Sequence, residues 1–211
     1  MTARNPDSGR IDIVGVDPAS HRTGLARVTL SPGHAICLVG STTIVSACRH
    51  HVSRAIEMQQ LLREFAECAS DCENSGRIGD KTIYSIEWHG SYMRTAPPKL
   101  IEAVAIIVAP ILLHHDRFVL IRPQGWKRRG EEKADTMRIA EQLGAERGGT
   151  ETKACYSDRC DAVVIAWRTA VFIDTFRTAG RTVDQCVRLA RGRKSILIAD
   201  NERIQTRKEP L

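Results

Sequence analysis

Near the C-terminal third of the chain, the stretch SDRCDAVVIAWRTA places Asp158 and Asp161 three residues apart at the head of an apolar run. On a helix, positions i and i+3 share a face about one turn apart, so both carboxylates point the same way. Two chemistries suit that pair. Acids in a first helical turn meet free N–H groups and the positive end of the macrodipole; Ser157 or Asp158 would then be the N-cap. Alternatively, the pair is half of a metal site whose other acids come from elsewhere. Asp17 closes the apolar run IDIVGV, and Glu87 closes TIYSIE. A carboxylate at the end of a buried strand needs a partner to stay ionised. Taken singly, Asp17 also suits an Asx-type turn before Pro18, and Glu87 a salt bridge to Arg94 or Lys99.

Taken together, the four acids imply convergence. If the two strands are neighbours, Asp17 and Glu87 lie side by side, and the last long helix need only dock there to bring Asp158 and Asp161. Such a cluster repels itself unless cations neutralise it. Hard divalent ions, Mg²⁺ or Mn²⁺, suit an all-oxygen ligand set. Two such ions roughly 3.5–4 Å apart would activate a water and stabilise the leaving oxygen of a phosphodiester.

The elements that must position these acids are legible as periodicity. Ile11 to Val16 reads as a strand, DPASHRTG as a turn, Leu25 to Leu30 as a second strand, and AICLVGSTTIV, after an SPGH turn, as a third. Apolar residues recur at helical spacing from Val52 to Cys72. Thr82 to Glu87 is a strand, and Lys99 to about Leu113 is an apolar, buried helix carrying Pro110. Phe118 to Ile121 is a strand, followed by a basic loop, RPQGWKRRGEEK, and a short helix from Ala134 to Leu143. After a loop, ERGGTETKACY, the helix bearing the aspartate pair runs to about Phe176; one more helix falls near Val183 to Leu189. A three-strand antiparallel meander followed by alternating helices and strands predicts an α/β fold: a mixed five-stranded sheet with helices on both faces. No internal repeat is present.

Composition narrows the class. The 211 residues suit one domain plus a tail, and 42% apolar residues suit a real core. The N-terminal MTARNPDSGR lacks an apolar signal-peptide core, and the stretch 101–113 is shorter than the ~20 residues a membrane span needs. These features predict a soluble, cytoplasmic protein with no membrane partner. The seven cysteines are scattered without paired CxxC spacing, which reads as reduced structural thiols rather than a zinc site. The net charge of +6 suits an anionic partner such as nucleic acid. Most of the excess lies from Arg177 onward, where nine Arg or Lys face four Asp or Glu.

At this point the motifs resemble those of RuvC-type Holliday junction resolvases. VGVDPASHRTGLARV is similar to that family's opening strand and hairpin, and IEWHGSYMRT to its strand-ending Glu and junction-contacting loop. RPQGWKRRGEEKADTMRIAEQLG resembles its basic segment, and SDRCDAVVIA its terminal paired-aspartate motif. The four segments stand in family order and cover about residues 11–176. The resemblance implies an RNase H-like nuclease domain over 11–176, between a disordered N-terminus, 1–10, and a basic C-terminal extension, 177–211. It implies a homodimer that cuts four-way or branched DNA, with two Mg²⁺ per active site and Mn²⁺ able to substitute. Asp17, Glu87, Asp158 and Asp161 become the catalytic metal ligands. Lys127 and Lys133 match DNA-contacting lysines, Arg128 and Arg129 add phosphate contacts, and Arg94 lies in the junction loop. Gly90 stands where the family has a junction-inserting aromatic, so that role passes to Tyr92, with Trp88 as the other candidate.

The departures are Ala19 for the usual Gly, a shorter loop between the two lysines, the apolar helix in place of a more basic segment, and the basic tail. They suggest a divergent, phage-like member. Two readings of other kinds remain: an RNase H-fold nuclease acting on RNA or RNA–DNA hybrid, and a branched-DNA-binding protein that does not cut. Against the second, a pure binder gains nothing from an anionic cluster facing phosphates. A phosphate-binding ATPase would need Gly-rich phosphate loops that the chain does not carry.

Overall fold

The computed structural model describes residues 9–19, 21–68, 82–88, 98–114 and 117–192. The expected disordered N-terminus lies almost wholly outside the described residues, as do Tyr92, Arg94 and the extension beyond residue 192. Five strands form one mixed sheet: β1 (Ile11–Pro18), β2 (Arg22–Leu30), β3 (Ile36–Val45), β4 (Thr82–Glu87) and β5 (Phe118–Ile121), in the order β3-β2-β1-β4-β5. The first three are antiparallel, while β4 runs parallel to β1 and β5 parallel to β4. β1 is central and nearly continuous in apolar residues because both of its faces are covered.

Among the described residues six helices cover the sheet: α1 (His51–Cys68), α2 (Pro98–His114), α3 (Pro123–Trp126), α4 (Lys133–Gln142), α5 (Lys153–Thr178) and α6 (Val183–Gly192). Strand side chains alternate between faces with period two, and two cores result. Val14, Val16, Leu25, Tyr84 and Ile86 meet α1 and α2 on one face. Ile11, Ile13, Ala26, Val28 and Ile83 meet α5 on the other, with α4 packed against α5 and α6 against both α5 and β5. The mixed sheet with helices on both faces is therefore as the periodicity predicts. α2 continues through Pro110 and buries only one side: Val104, Ile107, Val108 and Ile111 are covered, and Leu113 is exposed. No helix among the described residues is long and apolar enough to cross a membrane.

Three expectations need correction. α5 starts at Lys153, with Thr152 as N-cap, its side chain accepting from the Cys155 N–H at 3.2 Å. Asp158 and Asp161 therefore lie beyond the first turn, and the capping role proposed for Ser157 or Asp158 does not occur. The sequence pattern misleads because polar KACYSD precedes the apolar run, so the helix starts before its hydrophobic signal. The basic loop contains α3, whose first turn is preorganised by Pro123. Finally, α6, which composition assigns to a basic extension, belongs to the core: Val183, Cys186, Val187 and Ala190 are buried against the α5 side. Its charges lie on the opposite side of an amphipathic helix, so net charge alone disguises it.

Helix α5 sits unusually close to the sheet. A Cβ at Gly15 would stand 2.2 Å from the Ala162 carbonyl oxygen, and one at Gly24 would stand 2.1 Å from that of Asp158. Both obstacles are backbone, so they cannot swing aside. Gly15→Ala or Gly24→Ala is expected to push α5 outward and to destabilise the protein by about 1–3 kcal/mol, the range for overpacking, measured by urea denaturation. Wild-type stability in both variants would contradict this packing.

Candidate active site

The parity that builds the two cores also builds the site. Ile13, Gly15 and Asp17 of β1, and Ile83, Ser85 and Glu87 of β4, point to the α5 face. Val16 is in register with Ile86, so Asp17 and Glu87 emerge side by side at the same sheet end. Asp17 is paired with Gly24 of β2, the residue against which the Asp158 backbone rests. The two glycines thus bring Asp158 to Asp17, and one further turn brings Asp161. Three polar ties hold α5 at this height. Thr43 donates to the Cys155 carbonyl at 2.7 Å, the Ser85 and Thr169 hydroxyls meet at 2.6 Å, and Arg159 donates to the Ser41 hydroxyl of β3 at 3.0 Å.

The four sequence-predicted carboxylates are brought together. Glu87, Asp158 and Asp161 are buried, with 5%, 8% and 5% exposure, and Asp17 is partly buried. Burial, followed by the charges of Glu87, Asp161 and Asp158, pushes the Asp17 carboxyl well above its ordinary range. Burial raises Glu87 to about 7, against the opposing pull of Lys127, with Asp161 adding repulsion. Asp161 is raised by burial as well, opposed by Lys127 and Lys133. Asp17, Glu87 and Asp161 are thus held where burial limits their solvation, with neighbouring carboxylates adding repulsion.

Donors from the chain itself relieve part of this repulsion. Arg22 Nε donates to Asp158 Oδ2 at 2.7 Å, Lys127 Nζ lies 3.4 Å from Asp161 Oδ2, and Trp126 Nε1 donates to Glu87 Oε2 at 2.9 Å. Among the described residues, no three His, Cys, Asp or Glu side chains are arranged as they stand to hold a metal ion. Arg22, Lys127 and Trp126 each direct one carboxylate toward themselves, and a metal would compete with them. The donor set nevertheless fits a hard divalent ion: all the oxygens are carboxylate, and the buried Asp161 Oδ1 has no hydrogen-bond partner.

Of the basic residues predicted from sequence, Lys127 reaches the cluster directly, and Lys133 acts on Glu87 and Asp161 through its charge. Arg128 and Arg129 are exposed beside them. Sequence reasoning missed Arg22, Trp126 and Arg168. Arg168, 1% exposed, donates from α5 to the Trp126 carbonyl and to both oxygens of Glu131, at 3.0 and 3.1 Å. Glu131 in turn accepts from the Arg128 N–H at 2.7 Å. This network fixes the loop that presents Trp126 and Lys127. The available signals were an Arg two residues before Gly24, a Trp within a basic loop, and an Arg two turns after Asp161 on an otherwise apolar stretch.

No family model matches the sequence, and no curated protein matches it. Solved structures do match. Thermus thermophilus RuvC in complex with a Holliday junction substrate shares 14% identity at a TM-score of 0.51, covering 80% of this chain and 96% of that one. A second T. thermophilus RuvC structure shares 13% identity at a TM-score of 0.52, covering 80% and 97%. At these identities the likeness is one of fold: a RuvC-like, RNase H-like α/β architecture.

The raised carboxyls make stability depend on pH. Below the ordinary carboxylate range, folded and unfolded chains are both protonated at Glu87. Between about 4.5 and about 7 only the folded chain keeps that proton, so folding stability falls as pH rises through this window and levels off above it. Without added divalent ions, the wild-type Tm is expected to drop between pH 5 and 8. Glu87→Gln or Asp17→Asn should raise Tm at pH 8 by several degrees, read by calorimetry. A lower Tm for both variants would contradict the electrostatic reading.

Proposed function

We propose that this chain is a divalent-metal-dependent, structure-selective DNA endonuclease that resolves Holliday junctions by paired symmetric nicking as a homodimer. The observation that carries the reading is the meeting of Asp17, Glu87, Asp158 and Asp161 at one sheet end, where burial first, and their mutual repulsion second, raises the carboxyls of Asp17, Glu87 and Asp161. A chain gains no stability from such a cluster; it gains a site for cations. The fold it shares with T. thermophilus RuvC, captured with a Holliday junction substrate, points to branched DNA as the anion.

Asp17, Glu87, Asp158 and Asp161 would hold two Mg²⁺, or Mn²⁺ in their place. Ions so held activate water for attack on a phosphodiester and stabilise the departing oxygen. The chain's own residues supply positioning. Trp126 fixes the orientation of Glu87 through Nε1, and Arg22 steadies Asp158 at the cluster edge. Lys127, moored by the Arg168–Glu131 network, brings positive charge to Asp161 and to an incoming phosphate. Arg128, Arg129 and Lys133 extend that charge outward for the DNA backbone. Tyr92 and Arg94, outside the described residues, are assigned by resemblance to the junction centre, where an aromatic stacks on exposed bases.

A gel assay in Mg²⁺ with labelled four-way junction, fork, linear duplex and RNA–DNA hybrid tests the reading. Symmetric paired nicks in the junction are expected, and Asp17→Asn or Asp161→Asn should slow cleavage roughly 10³-fold, as for groups that act as a unit. Full cleavage by either variant would sink the proposed mechanism. Cleavage of the hybrid alone would move the substrate to RNA, and junction binding without cleavage would favour a non-cutting scaffold.

A further inference from the structure

Basic residues identified from the sequence lie on one side of the carboxylates, after β5. The opposite side, formed by the ends of β2 and β3, carries a second basic bank. Arg22 is in register with Val45, so the segment after β3 opens at the same sheet end as Asp17. It presents Arg49 and His50, both exposed, next to the exposed His21 of the β1–β2 turn. A chain of contacts joins this bank to the site. Asp158 accepts from Arg22 at 2.7 Å, and the neighbouring His21 ring meets the Arg54 guanidinium. Arg54, 8% exposed, donates to the carbonyls of Cys48 and Arg49, each at 2.9 Å. The bank is therefore clipped in place by a buried side chain.

The nearby acids are already engaged. Glu57 accepts from the Ser46 hydroxyl, and Glu102 lies 2.7 Å from His51 Nε2. Among the described residues no carboxylate pairs with Arg49 or His50. The acidic centre thus lies between two basic edges: Lys127, Arg128 and Arg129 on the β5 side, and Arg49, flanked by the imidazole rings of His21 and His50, on the β3 side. A phosphodiester brought over buried carboxylates is repelled by them, and a strand gripped on one side alone can swing away. Cations on both sides hold it across the centre.

We infer that His21, Arg49 and His50 form a second contact surface for the sugar–phosphate backbone of the substrate, on the β3 side of the carboxylates. This inference rests on the nucleic-acid reading of the site, but its test separates the two. Binding of a fluorescein-labelled four-way junction is followed by anisotropy in EDTA over a KCl series, using the full chain. Arg49→Ala/His50→Ala should weaken binding about 3–10-fold near 0.1 M salt and flatten the log–log salt slope by about one, as for one lost phosphate contact. Arg49→Glu should bind more weakly than Arg49→Ala, Arg49→Lys should bind nearly as wild type, and Arg138→Ala on α4 should leave the slope unchanged. Wild-type affinity and slope in both Arg49→Ala and Arg49→Glu would overturn the surface, as would a wild-type chain that does not bind the junction. If the expected binding pattern appears but Mg²⁺ elicits no cleavage, the surface stands and the nuclease reading fails.

Discussion

The close seating of α5 on the sheet is the constraint on which the rest depends. Gly15 and Gly24 remove the two Cβ atoms that would meet the helix backbone, at 2.2 and 2.1 Å. Helix and strand therefore approach more closely than packed side chains permit. Ala162 and Ala166 sustain the contact further along, and the Ser85–Thr169 hydroxyl pair bridges it. Were α5 displaced outward, Asp158 and Asp161 would leave the ends of β1 and β4. The sheet would still bury its apolar residues, but the cluster would not form.

Assembling the cluster is electrostatically unfavourable, and the surrounding residues show how the chain tolerates it. Arg22, Lys127 and the Trp126 indole each engage a different carboxylate. Both ion pairs are part-buried, so removing the basic partner leaves a largely buried carboxylate less compensated. The cations are consequently part of the fold as well as of the site. Two more arginines, Arg168 and Arg54, lie behind them and hold the flanking loops by backbone carbonyls. Arginine suits this task because its planar fork donates in several fixed directions at once. The result is an acidic centre with preset basic edges.

Much of this was legible in the sequence. β4 and β5 were readable to the residue, and the sheet's composition followed from the order of strands and helices. The convergence of Asp17, Glu87, Asp158 and Asp161 followed from two strand-ending acids and an i, i+3 pair. Helix starts were less legible. Thr152 caps α5 ahead of any hydrophobic pattern, because a cap is a local hydrogen bond and leaves no periodic trace. α6 was legible as a helix, but its place in the core was obscured by charge, since a basic surface helix can bury Val183 and Val187 and still raise the net charge.

The amino-acid sequence by itself determined which residues were available for chemistry, their faces on helix and strand, and the class of partner their charge suits. These are local properties, set by periodicity and residue type. Tertiary structure alone decided which donor meets which carboxylate. Arg22 and Asp158 are 136 positions apart, and Trp126 and Glu87 are 39 apart. Nothing in their spacing couples them; the strand order β3-β2-β1-β4-β5 and the seat of α5 do. The β3-side basic bank has the same origin. Its residues come from two separate segments, and only the antiparallel register of β2 and β3 brings them to one end of the sheet.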